Sequence, residues 1–294
     1  MENIHDSQEL ILIPFTSDYG FKATFGNETD TLFLRRALQA LIESDVPIKS
    51  VQFIKNEFIG LVLDSRSGVY DVACIDENDN TFIVEMQLGE FKNFIQRMKF
   101  YAFQKFNTMV KKGRYLFNDL TPIYCIGFLA ENIYTTPDYY NLGVLRTPKG
   151  FVMDDQIKYI TVELEKFNLK ETEIKTDLEK LIFTMKNFTQ YATATQYPQF
   201  WTEEWLQIAI NELDTRHFTP EQRMRYETIL AQNAVAVYNE KRAIDKAISE
   251  TKKDAIIRVL QAGKNTVEEI ARFLDVPIQY VLDLKAELDR ESRS

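Results

Sequence analysis

The sequence predicts an α/β fold, a mixed sheet flanked by helices and followed by an all-helical C-terminal region. Three observations predict it. Short runs rich in Val, Ile and Phe over 51–62, 69–75 and 81–84 bracket the polar stretch Asp76-Glu77-Asn78-Asp79-Asn80, the pattern of strands joined by a turn. From 89 to 113 the apolar residues switch to helical spacing, with Phe91, Ile95, Met98, Ala102, Phe106 and Met109 on one face, and a strand-like run returns over 123–130. Beyond about residue 170 the texture is helical throughout.

In chain order, 31–44 places Leu32, Leu34, Leu38, Leu41 and Ile42 on one broad apolar face, an amphipathic helix that Pro47 closes off. A hairpin follows around the 76–80 turn. The helix over 89–113 then serves as the crossover to the 123–130 strand, which Pro122 introduces, and 159–164 offers a further strand. Helices are expected over 172–188, 202–213 and 220–248, the last begun by Thr219 as N-cap and Pro220 in the first helical position. The segment over 254–288 stands apart as a small helix-turn-helix-like unit, with Ile270, Ala271, Val281 and Leu284 turned inward. The expected organisation is a core over 1–170, a helical region over 171–253 and this terminal unit over 254–294.

Composition narrows the function classes. With 294 residues, 45% hydrophobic and 27% charged, and only 8 Pro and 10 Gly, the chain should fold nearly throughout. The start, MENIHDSQEL, has no basic region before an apolar stretch, and no run reaches the ~18 apolar residues that span a bilayer, so a cytoplasmic location is expected. Cys74 and Cys125 lie in strand-like runs, where buried reduced thiols are expected, and two cysteines alone cannot build a zinc site. The two histidines, His5 and His217, are too few for a histidine base combined with histidine metal ligands, so any metal would be held by oxygen. A net charge of −9 opposes non-specific coating of nucleic acid, which leaves the local distribution of charge to decide.

The most chemically suggestive stretch is Tyr70-Asp71-Val72-Ala73-Cys74 followed by Phe82-Ile83-Val84-Glu85-Met86-Gln87. If the strands pair through the 76–80 turn, Asp71 and Glu85 lie near the open ends of neighbouring strands, close enough to share a cation. Two carboxylates and a backbone carbonyl such as that of Met86 suit Mg²⁺, which prefers oxygen and keeps several waters. The competing reading is a pair of solvent-facing hairpin residues. Glu85 interrupts an otherwise apolar strand, and a buried carboxylate is costly unless paired or metal-bound.

Asp18-Tyr19-Gly20-Phe21-Lys22 with Phe25-Gly26, then Asp71, then Glu85-Met86-Gln87, then Arg97 and Tyr101, then Gly113, Tyr115 and Pro122 follow one another in an order that resembles the PD-(D/E)XK nuclease family transposases, also called recombination-promoting nucleases. The resemblance is strong over 14–130 and weaker towards the C-terminus. It implies a restriction-endonuclease-like core, a Mg²⁺ or Mn²⁺ cofactor, DNA as the partner and phosphodiester hydrolysis, with a role in mobile-element recombination in view. It also implies that Asp71 and Glu85 bind the metal and that Gln87 stands where the wider superfamily carries a lysine. A neutral amide can hydrogen-bond a water or a phosphate oxygen but brings no positive charge. The alternative is a catalytically inactive DNA-binding or regulatory protein that keeps the fold.

Further residues support the site. Lys22 is either a phosphate-facing cation or simply the ion-pair partner of Asp18 four residues before it. Arg97, Tyr101, Gln104 and Thr108 fall on one polar helical stripe, and the resemblance makes Arg97 and Tyr101 contacts to the scissile phosphate or to the acids. From 91 to 118 there are seven basic residues and no acid, so Lys111, Lys112 and Arg114 are expected on the DNA-facing surface, while Phe100, Phe103 and Tyr115 are expected in the core. Acids balance bases in the terminal unit, which leaves it to dock in a major groove, to pack on the core or to join a homodimer.

Overall fold

The computed structural model describes residues 11–54, 57–58, 68–69, 71–88, 93–109, 120–193 and 196–291. The first helices are α1 (Asp18–Phe25) and α2 (Leu32–Leu41); the strands that follow are β1 (Val51–Phe53), β2 (Glu57–Phe58), β3 (Gly68–Val69), β4 (Val72–Asp76) and β5 (Thr81–Gln87). Helix α3 (Phe94–Met109) leads to β6 (Ile123–Leu129), β7 (Tyr140–Arg146) and β8 (Val152–Glu163). The helical remainder comprises α4 (Asp177–Asn187), α5 (Glu204–Leu213), α6 (Pro220–Ala262), α7 (Val267–Phe273) and α8 (Ile278–Glu291), with short 3-10 turns between. This is the expected mixed sheet flanked by helices with a helical C-terminal region.

Six strands form the main sheet in the order β1-β4-β5-β6-β8-β7, and β2 pairs with β3 separately. The hairpin register sets Val72 opposite Val84 and Ile75 opposite Thr81. Its turn is tied by the Asp76 carboxylate, which accepts from the backbone N–H of Asn78 and Asn80, both at 2.9 Å. Strands β5 and β6 run parallel, joined by α3 as the crossover, and β6 pairs parallel with β8. Strand β8 is longer than the expected 159–164 segment, and the edge strand β7 was not expected from the sequence.

The sheet is covered on both faces. On one, Phe21 and Phe25 of α1 meet Phe128 of β6, with ring centroids 6.0 and 5.4 Å apart, and Phe33 of α2 joins them. On the other, Phe94, Met98, Tyr101 and Ala102 of α3 pack on Ala73, Ile83, Ile123, Cys125 and Leu129. Phe100 and Phe103, expected in the core, are exposed, because the buried positions of α3 recur at helical spacing and these two project from its other side. Cys74 and Cys125 are buried free thiols, as expected, and burial pushes both up to about 12.

The chain divides into two compact units, Met1–Arg223 and Met224–Ser294. In the first, α4 and α5 pack against α2, and α5 also against α1. Thr219 accepts from the Gln222 N–H at 3.2 Å while Gln222 bonds back to the Thr219 N–H, so α6 begins at Pro220 as its cap residues dictate. In the second unit Ile256, Ile270, Ala271, Val281 and Leu284 form a small core of their own. Among the described residues no helix is long and apolar enough to cross a membrane.

Candidate active site

The two acids meet where β4 begins and β5 continues past it. Asp71 immediately precedes β4, and its Oδ2 accepts from the Met86 backbone N–H at 2.8 Å. In a strand the N–H and C=O of one residue project together, so the Met86 carbonyl faces the same side as Asp71. The Gln87 carbonyl points the other way, accepting from Ala130 N–H at 3.1 Å. Alternation along β5 turns Ile83, Glu85 and Gln87 towards α3, and Glu85 lies level with Gly127 of β6. Gly127 is small for a reason: a Cβ there would stand 2.1 Å from the Phe94 ring, which roofs the strand beside Glu85.

Glu85 is 5% exposed. One carboxylate oxygen accepts from Arg97 Nη2 at 3.3 Å; the other, Oε1, is buried with no hydrogen-bond partner among the described residues. Burial, and then the charge of Asp71, push its carboxyl up to about 7, with Arg97, a backbone hydrogen bond from Asp71 and the charge of Lys22 acting in the opposite sense. Asp71 is likewise raised, chiefly by burial, while the Met86 N–H and the charges of Lys22 and Arg97 oppose the rise. Burial thus outweighs the stabilising contacts of each acid.

Helix α1 brings up Asp18 and Lys22. Ser17 caps it, accepting from Gly20 N–H at 3.0 Å, and Gly20 sits where a Cβ would come within 2.0 Å of the Pro14 carbonyl oxygen. Asp18 and Lys22 pair at 2.6 Å with side chains 43% and 48% exposed, and both charges act on Asp71. From α3, Arg97 Nη2 also donates to Gln87 Oε1. Tyr101 is buried, and its hydroxyl is raised by burial and by the charge of Glu85. Further along the stripe, Thr108 is satisfied locally by the Lys105 carbonyl at 2.7 Å. Lys111, Lys112, Arg114 and Tyr115 lie outside the described residues.

A family model described as PD-(D/E)XK nuclease family transposase matches residues 15–247. The chain belongs to this family. The match begins just before α1 and ends within α6, so it takes in the whole sheet and every candidate site residue just described. No curated protein and no solved structure matches the chain.

The donor set around Asp71 and Glu85 fits a hard divalent ion. Two carboxylates, one with an orphaned oxygen, and a carbonyl on the same side supply oxygen only. Among the described residues no three His, Cys, Asp or Glu side chains cluster to hold an ion, so the remaining positions would fall to water and substrate. Sequence reasoning missed Phe94 and Gly127, whose packing sets the height of α3 above Glu85. Gly127 had a signal in principle, a glycine inside an apolar strand run.

Proposed function

We propose that the protein is a Mg²⁺- or Mn²⁺-dependent endodeoxyribonuclease that hydrolyses phosphodiester bonds, with a role in mobile-element recombination. The observation that carries this reading is the unpartnered Oε1 of buried Glu85 beside Asp71. An orphaned buried acceptor costs about 1–3 kcal/mol, more when charged, and a cation shared with Asp71 removes that cost. Membership of a nuclease family supports the same chemistry.

In this reading Asp71, Glu85 and the Met86 carbonyl hold the ion, which when bound polarises the phosphate and lowers the pKa of an attacking water. The chain's own groups do the rest. The Met86 N–H fixes the Asp71 carboxylate, so one ligand is oriented before substrate arrives. Tyr101 and the Phe94 roof keep water from the inner side of Glu85. Lys22, Arg97 and Tyr101 face the phosphate, Asp18 orients Lys22, and Lys111, Lys112 and Arg114 carry the flanking DNA. A cytoplasmic location accords with this substrate.

Plasmid nicking with and without Mg²⁺ tests it. Asp71→Asn and Glu85→Gln, which keep shape while removing a charged ligand, should each abolish cutting with the circular dichroism spectrum unchanged. Cutting at the wild-type rate by either variant sinks the site assignment. DNA binding without cutting by the wild type would favour a regulatory protein on the same fold.

A further inference from the structure

Displacement at phosphorus builds negative charge on the phosphoryl and leaving oxygens, and a nuclease site must meet it with fixed positive charge beyond the ion. Strand β5 brings none, since position 87 is a neutral amide. Two cations act on both carboxylates, Lys22 and Arg97. Lys22 is held by Asp18 at 2.6 Å on an exposed face. Arg97, its side chain 37% exposed, lies with its guanidinium 5.6 Å from the centroid of the buried Phe94 ring and its Nη2 bonded to both Glu85 and Gln87.

The geometry points to Gln87 as a positioning residue, the bracket that holds Arg97, already read as facing the phosphate, in the place that a cation on β5 would fill. The inference rests on the nuclease reading and reassigns Gln87 from handling water to positioning Arg97. Its support is the state of the guanidinium. Nε is buried and has no partner among the described residues, while Nη2, on the same edge, is spent on Glu85 and Gln87. That edge of two parallel donors matches two oxygens of a phosphate. An ion held by Glu85 would compete with Arg97 for that carboxylate, and the Nε–Nη2 edge, still held by Gln87, would then be directed to the phosphate. Gln87 remains, and its side-chain oxygen keeps the guanidinium from swinging into solvent.

The test is a relocation of charge. Cutting under Mg²⁺ is measured for wild type, Arg97→Gln, Gln87→Lys and the double variant Arg97→Gln/Gln87→Lys. Arg97→Gln should lower kcat about 100-fold, the size of effect seen on removing one transition-state donor, and weaken DNA binding as well. The double variant should recover, because the ammonium introduced at position 87 returns the charge from the strand. Binding of a short duplex in Ca²⁺, read by fluorescence anisotropy, should show the logarithmic salt slope reduced by about 0.9 in Arg97→Gln and restored in the double variant. An active wild type whose double variant cuts no better than Arg97→Gln overturns the inference and leaves the nuclease reading standing. A wild type that neither cuts nor binds overturns both. Should Arg97→Gln fail to fold, Arg97→Lys keeps the charge and loses the paired edge; an unchanged rate in that variant overturns the proposal, and a loss supports it.

Discussion

Glu85 and Glu163 are both glutamates that interrupt apolar strands, and both are buried, at 5% and 0% exposure. Their surroundings separate them. Glu163 accepts from the Ile133 and Tyr134 backbone N–H groups and from Lys166 Nζ at 2.6 Å, so its charge is fully met and its task is to hold the 131–134 loop. Glu85 has an arginine contact and a backbone hydrogen bond from Asp71, and its other oxygen is orphaned among the described residues. Such a carboxyl links stability to pH with a definite sign. Below its ordinary range both states are protonated and nothing is contributed. Between that range and about 7 the unfolded carboxyl ionises while the folded one keeps its proton, so the native state binds more protons and stability falls as pH rises. The full penalty, on the order of 3 kcal/mol at about 1.4 kcal/mol for each tenfold change in proton affinity, is present above pH 7. Asp71, also raised, adds in the same direction. The metal-free protein should therefore lose thermal stability from about pH 5 to 7.5, Glu85→Gln should flatten that loss, and Mg²⁺ should reverse it by binding the ionised form. Melting curves across this range decide it; a slope unchanged in Glu85→Gln would show that other groups set it.

Helix α3 and the strands beneath it carry the geometry. Gly127→Ala would push a methyl group into the Phe94 ring at 2.1 Å, and the ring, itself buried among Ile83, Cys125 and Leu129, has little room to turn. Overpacking of this kind costs about 1–3 kcal/mol, and it should also lift Arg97, one turn further along α3, away from Glu85. Gly127→Ala should lower both denaturation midpoint and activity, and Gly127→Ala/Phe94→Leu should regain stability by returning the space. Additive losses in a double-mutant cycle would show that the two residues do not press on each other. These elements were legible because period 2 gives way to period 3.6 and back along this stretch of chain. The Arg97–Gln87 contact was not, since it depends on how α3 is rotated over the sheet. Strand β7 and the first half of β8 escaped for a different reason. They lie at the sheet edge with Leu142, Leu145, Val152 and Met153 exposed, so no burial imposes an alternating pattern, and Asp154-Asp155 breaks the apolar run.

At the scale of the whole chain, the groups proposed as catalytic and the terminal unit occupy different stretches. Asp18, Lys22, Asp71, Glu85, Gln87, Arg97 and Tyr101 all precede residue 110 and lie in the first compact unit. The family match ends at 247, before the first residue of the terminal core, Ile256. That core was readable in advance: Ile270, Ala271, Val281 and Leu284 were expected inward, and these four with Ile256 are its buried members, because two short amphipathic helices with a capped start specify their own packing. Deleting 254–294 removes this core complete and leaves no half of it exposed. The truncated protein should therefore fold, keep Mg²⁺-dependent cutting of non-specific DNA within a few-fold of full length, and change in site preference or oligomeric state, the roles left to a unit without catalytic groups. A cleavage time course beside light scattering for both proteins measures each part. A soluble, folded truncation that cuts at no concentration would show that the terminal helices complete the active site, and the separation of catalysis from targeting would fall with it.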